Sequence, residues 1–426
     1  MSPEPASSSV RRRALYIFLV CAVLFGLGQF HRYSGAVVML PLAEDLGIKV
    51  ESLGIAAAAL FFASALVQVP IGMALDRFGP RIIIPGTAIF GVLGSVLLAV
   101  ASGRHDVIVA RIMIGLGYSA ILMSSYVLLA KWFPPAKFAT MASWLLAGSS
   151  IGGMMSSAPL AWVISHYGWR LPFIAVAVIT FFVIVAGIYI IRDAPPGYRH
   201  DRAKPASMAQ SVSGYIEVLR HPKFFNLLAM GFVAYGPAVA LLGMWGGPYL
   251  EDIHHLDGVE RGQVLLFMTI VVPLGALFFG PLDRFFKSRK WIVITAVLTE
   301  LVAFATLGLV DNLPVWVITL LFVYIAFVQQ YYVVLAAHCR ASFPDHLVGR
   351  ANSTLNLISI MGVGFLQSLF GWVLAFSEEG AGYRQSFLLV AGLLVLALII
   401  YAGSREEAPQ THAKDGSGTT RGPGPG

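Results

Sequence analysis

The chain is 426 residues long, 57% hydrophobic and only 12% charged, with a formal net charge of +7. Its mean hydropathy of +0.77 excludes an ordinary soluble domain, in which about 25% of residues are charged. Apolar stretches of about 20 residues recur along most of the length, each long enough to cross a hydrocarbon core of roughly 30 Å. Backbone groups in lipid must be paired internally, so these stretches are expected as helices, and the short alternating segments of a membrane barrel are absent.

Arg11-Arg12-Arg13 precedes the first apolar stretch. That stretch lacks a small-residue cleavage site and runs on into Gln29, His31 and Arg32, so it reads as an uncleaved first helix and not a signal peptide. Twelve spans are expected, at 14–40, 52–74, 81–102, 106–131, 138–165, 171–191, 223–249, 262–282, 290–310, 314–339, 350–376 and 383–402. They group as an N-terminal tail (1–13), a six-helix bundle (14–191), a linker (192–222), a second six-helix bundle (223–402) and a tail (403–426). The linker carries Pro195-Pro196-Gly197, and its later part near Met208–Leu219 reads as a short surface helix. The final tail is rich in Gly, Thr, Pro and charge and is expected to be disordered.

With the N-terminus in the cytoplasm, the outer loops hold only Lys49, Arg104, Arg170, Arg261 and Arg384; Arg32 and Arg111 lie within spans, and the remaining basic residues face inwards. This positive-inside distribution puts both termini in the cytoplasm. It also accounts for the excess of positive charge through topology, without nucleic acid. Cys21 and Cys339 stand alone in different halves and form neither a metal-ligand spacing nor a disulfide framework.

One charged loop is repeated. Gly72-Met-Ala-Leu-Asp76-Arg77-Phe78-Gly79-Pro80-Arg81 returns in blurred form as Gly280-Pro-Leu-Asp283-Arg284-Phe285-Phe286, again between apolar stretches. Phe286 replaces the glycine, which weakens the case for a tight turn in the second copy. A loop that recurs half a chain later points to an internally duplicated carrier.

These residues resemble the major facilitator superfamily. Gly72…Asp76-Arg77…Gly79…Arg81 is similar to its signature between spans 2 and 3, and Arg111-Ile-Met-Ile-Gly115-Leu-Gly117 to its span 4 signature. Trp132-Phe133-Pro134-Pro135 and the glycines 148, 152 and 153 occupy the corresponding places after span 4 and in span 5. Phe30-His31-Arg32-Tyr33, Gly168-Trp169-Arg170 and Trp245-Gly246-Gly247-Pro248-Tyr249-Leu250 resemble a bacterial branch with mostly unassigned substrates, some of its members linked to siderophore or iron handling. The resemblance implies an all-α membrane fold of two pseudo-symmetric bundles. It also implies that Gly72, Asp76, Arg77, Gly79 and Arg81, with Asp283 and Arg284, form gating loops whose contacts break in each cycle.

Charges within spans are costly and face cavities or partners. Arg32 is a candidate ligand for a carboxylate or phosphate, held through two parallel hydrogen bonds; an interhelix structural partner is the competing reading. Carriers of organophosphates in the superfamily place an arginine in the same span. His31 points about 100° away on the helix and is either a titrating ligand or a structural histidine. Arg111 is a coupling candidate by the resemblance, or an arginine reaching the outer interface. Glu300, the one acid deep in a span, is either a proton site or a hydrogen-bonded structural acid. Gln29, Tyr235, Trp245, Gln329, Gln330 and Tyr331 are candidate polar and aromatic ligands on spans that the resemblance places around the cavity.

The reading is a secondary transporter of a bacterial inner membrane, functional as a monomer, carrying a small anionic solute by alternating access, with protons as the candidate coupling ion. An exporter of a siderophore, metal chelate or amphiphile is the alternative, and a non-transporting sensor or assembly protein the rival from another class. No P-loop points to ATP, and no His/Asp/Glu cluster points to an enzyme or a metal, so no cofactor is expected.

Overall fold

The computed structural model describes residues 8–196, 213, 216–221, 224–286, 288–378 and 381–404. Among them the chain is helical throughout. Ten helices are long and apolar enough to cross a membrane, and the pair Ser52–Leu66 and Gln68–Phe78, bent by 43°, makes an eleventh. The expected fifth span is two helices, Pro135–Met155 and Ala158–Tyr167, interrupted at Ser156–Ser157. Residues 8–13, expected as tail, extend the first helix, Ser8–Tyr33. The expected linker helix lies mainly, and the expected disordered tail almost wholly, outside the described residues.

Local chemistry sets many of the ends. Proline starts the helices Pro80–Ala99 and Pro135–Met155, where its missing N–H costs nothing. Asp257 accepts from the backbone amides of Val259 (2.7 Å) and Glu260 (2.9 Å), while Glu260 accepts from the amide of Asp257 (3.0 Å). This capping box starts Gly258–Phe279.

Helices before residue 192 pack mainly on one another, as do those after 223, and the lateral surface is apolar: Phe182, Leu277 and Ile399 are each more than 60% exposed. Such a belt suits hydrocarbon. Where the two groups meet, the contacts gather at the end away from the linker. There Val50–Leu66 packs on Asp345–Phe376, and Ala158–Tyr167 on Gly258–Phe279. The approach is backbone to backbone: a methyl group added to Gly247 would lie 1.7 Å from the Ala36 carbonyl oxygen, and one on Gly35 2.0 Å from that of Gly243. Glycine is what lets these helices seal one end of the seam.

Candidate substrate site

Besides spans 2 and 5, four more spans are interrupted. Span 1 breaks at Ser34, between Ser8–Tyr33 and Gly35–Leu46; span 4 at Ser119–Ala120, between Arg104–Tyr118 and Ile121–Trp132. Span 7 breaks at Tyr235, where Pro237 removes a backbone donor, and a π-helical stretch Leu241–Trp245 follows. Span 10 tightens to a 3-10 turn at Gln329–Tyr331. Breaks of this kind free backbone groups and mark hinges and binding regions.

The breaks of spans 1 and 7 meet. The Tyr33 and Tyr235 hydroxyls lie 3.2 Å apart across the seam, and the Tyr235 ring is 6.3 Å from that of Tyr332, just past the break in span 10. Arg32 is half-buried at the same place, and among the described residues its guanidinium has no hydrogen-bond or ion-pair partner. Gln29 lies one turn earlier, beside the Tyr33 hydroxyl, and its Oε1 is shielded and unpartnered among the described residues. Gln330 is half-buried and packs against Gly275 of span 8.

Other candidates are placed elsewhere. His31 is fully buried inside the N-terminal group: its Nε2 is 3.0 Å from the Ser95 hydroxyl and its ring stacks on Phe173. Its position one residue from Arg32 turns it away from the seam, so we assign it to packing. Trp245 is also fully buried; its Nε1 donates to the Gln367 carbonyl at 3.1 Å and its ring stacks on Phe370. It belongs to the sealed end. Gln329 and Tyr331 turn into the C-terminal group, where the Tyr331 hydroxyl points at the Met230 sulfur, 3.9 Å away.

Arg111 is 2% exposed, which rules out the interfacial reading. Its Nη1 donates to the His31 carbonyl at 2.9 Å, while Nε and Nη2 have no partner among the described residues. Glu300 is fully buried with both oxygens unpartnered among the described residues, near Tyr331 and outside the seam. Of the four arginines expected in outer loops, three are paired: Arg170 with Asp45, Arg261 with Glu251 and Arg384 with Asp311.

The repeated loop shows how its glycine works. Gly79 adopts φ +77°, a conformation that costs other residues free energy. The Asp193 carboxylate sits against it and accepts from the Arg81 amide at 2.9 Å, capping the next helix. Asp76 and Arg77 are exposed, and Asp76 has no hydrogen bond or ion pair among the described residues. Gly72 faces Met123. Asp283 and Arg284 lie on the short helix Leu282–Phe286, and their side chains are outside the described residues.

Two positions at these features have no assigned role in the sequence reading. Tyr33 enters that reading only within Phe30-His31-Arg32-Tyr33, and Asp193 only as part of the polar linker. Their signals were a tyrosine beside a span arginine and a carboxylate at a span end.

The model of the Major Facilitator Superfamily matches residues 15–282 and 248–423. The chain belongs to this superfamily. Among curated relatives, the hexuronate transporter of Escherichia coli K12 is 23% identical over 442 residues, covering 94% of this chain and 98% of its own. The putative tartrate transporter of Agrobacterium vitis is 23% identical, covering 97% and 98%. Among solved structures, a bacterial homologue of the human lysosomal transporter Spinster, inward-facing and occupied, superposes with a TM-score of 0.77 at 18% identity, covering 95% and 100%. The inward open xylose transporter XylE from E. coli gives 0.70 at 15%, covering 94% and 98%. The chain is therefore a multi-pass membrane transporter of the superfamily fold.

Proposed function

We propose that this superfamily member carries a small organic anion of the sugar-acid class by alternating access, with Arg32 as the carboxylate ligand. The observation that carries the reading is Arg32 itself, a half-buried guanidinium at the seam with no carboxylate of its own among the described residues. A buried or half-buried cation without a partner is costly, and an anionic solute supplies the missing charge. The names of the relatives, transporters of hexuronate, tartrate and galacturonate, support the same class. Gln29, Tyr235, Gln330 and Tyr332 add neutral donors and acceptors around it.

The basic residues at the linker end support a cytoplasmic placement for that end in a bacterial inner membrane. The sealed opposite end then makes this conformation inward-facing. Exposed Asp76 and Arg77 fit a latch that is released in this state and closes in the other. Protons are the proposed coupling ion, with Arg111 and Glu300 as the groups that respond, and the carrier works as a monomer.

Uptake into proteoliposomes tests the reading, with D-galacturonate, D-glucuronate and tartrate as solutes and glucose as the neutral control. Wild-type protein should take up at least one of the acids and not glucose. Arg32→Ala should lower uptake roughly 10- to 100-fold at low substrate, the loss expected for charge-assisted hydrogen bonds, while the melting temperature holds. Undiminished uptake by that variant would refute Arg32 as the ligand.

A further inference from the structure

Arg32 supplies charge, and charge alone does not distinguish one carboxylate from another. The groups beside it do. Tyr33 and Tyr235 present hydroxyls 3.2 Å apart from opposite sides of the seam. Gln29 lies beside the Tyr33 hydroxyl and holds a shielded acceptor, Oε1, that nothing among the described residues fills. The Tyr33 ring is fixed by its bed: a methyl group on Gly153 would stand 3.1 Å from ring carbon Cδ2. Tyr235 is half-buried and leans towards Tyr332. An unfilled acceptor and two hydroxyls, each able to donate or accept, thus adjoin one cation.

We propose that Gln29, Tyr33 and Tyr235 read a hydroxyl group carried next to the carboxylate on Arg32, which makes the carrier selective for hydroxy acids over their deoxy counterparts. The proposal rests on the reading of Arg32 as the anion ligand. The substrate hydroxyl donates to Gln29 Oε1 and accepts from one tyrosine, so the Tyr33–Tyr235 bond is exchanged and not merely lost. A deoxy acid leaves the Gln29 acceptor orphaned in a shielded site, and a site built to bond a hydroxyl rejects ligands without one. Because Tyr33 and Tyr235 belong to different halves, the same hydroxyl links span 1 to span 7 when the site is occupied. Tyr33 and Gln29 are specificity residues in this scheme, and Arg32 holds the ligand whichever acid is bound.

Tartrate and succinate share carbon skeleton and charge and differ only in hydroxyl groups. Their affinities for purified full-length protein, measured by calorimetry, test the proposal. Wild type should prefer tartrate by roughly tenfold, the equivalent of one neutral hydrogen bond. Tyr33→Phe, Tyr235→Phe and Gln29→Met should each cut that preference several-fold, because tartrate loses more affinity than succinate. A merely structural tyrosine would weaken both acids alike, and that result, or equal wild-type affinities, overturns the proposal. Arg32→Ala separates the two layers. If it abolishes binding of both acids and the wild-type ratio is flat, the anion site stands and the hydroxyl reading fails. If wild type binds neither acid, the hydroxyl reading fails, and the anion reading fails with it when D-galacturonate and D-glucuronate are refused as well.

Discussion

The seal at the end away from the linker depends on glycine, and Gly247→Ala should weaken it selectively. The new methyl would stand 1.7 Å from the Ala36 carbonyl oxygen and 2.8 Å from its carbon. Both partners are backbone, so no rotamer change relieves the overlap; spans 1 and 7 must separate. Overpacking of this kind costs about 1–3 kcal/mol. The cost falls only on the conformation in which this end is closed, so the equilibrium should move towards the open form by about 5- to 150-fold. The readout is a thiol placed in the seam. Gln367 is fully buried there and its side-chain amide has no partner among the described residues, so Gln367→Cys forfeits no hydrogen bond. Native Cys21 and Cys339 are buried and contribute little background. Labelling by a membrane-impermeant maleimide from the sealed side should accelerate in Gly247→Ala by that factor. Gly392→Ala, where an added methyl meets nothing within 4 Å, is the control and should change nothing. An unchanged labelling rate in a folded Gly247→Ala protein would refute the argument that this contact holds the end shut.

Two further outcomes are expected. Gly79→Ala forces φ +77° on a residue with a Cβ and sets that carbon 2.6 Å from Asp193 Oδ1; it should destabilise by about 1–3 kcal/mol, read as a lower melting temperature. Combined with Asp193→Ala, the loss should be smaller than the sum of the single losses, and additivity would show that the two residues do not share one turn. Glu300→Gln should abolish accumulation driven by a pH gradient while preserving counterflow, and unchanged accumulation would exclude Glu300 as the coupling group.

The apolar spans, the repeated loop and Arg32 were legible because each breaks the average composition of its surroundings. The breaks in the helices were not. Ser34 and Ser119 are ordinary helix residues by propensity, and only the packing of neighbouring spans makes them turns. The right faces of spans 7 and 10 were hidden for a different reason. These spans are apolar nearly all round, so no stripe separates a cavity face from a core face. Trp245 and Tyr331 therefore carry the same sequence signal as Tyr235 and Gln330, and the structure divides the four between core and seam. Tyr33 escaped because its meaning lies in a partner 202 residues away.

The tyrosines at the breaks carry this one step further. Tyr33, Tyr118, Tyr235 and Tyr331 each stand at the interruption of spans 1, 4, 7 and 10. Tyr118 and Tyr331 turn back into their own groups, where their hydroxyls meet the Thr180 hydroxyl at 2.9 Å and the Met230 sulfur at 3.9 Å. Tyr33 and Tyr235 turn outwards and meet each other. Corresponding spans of the two halves therefore use the same residue in the same way: spans 4 and 10 as an internal tie, spans 1 and 7 as a contact across the seam. A hydroxyl tied inside one half moves with that half and cannot report on the other. On the proposed reading, a hydroxyl pair shared between halves is broken or bridged whenever they rock, which would make the Tyr33–Tyr235 contact the place where ligand chemistry and conformational change act on the same atoms.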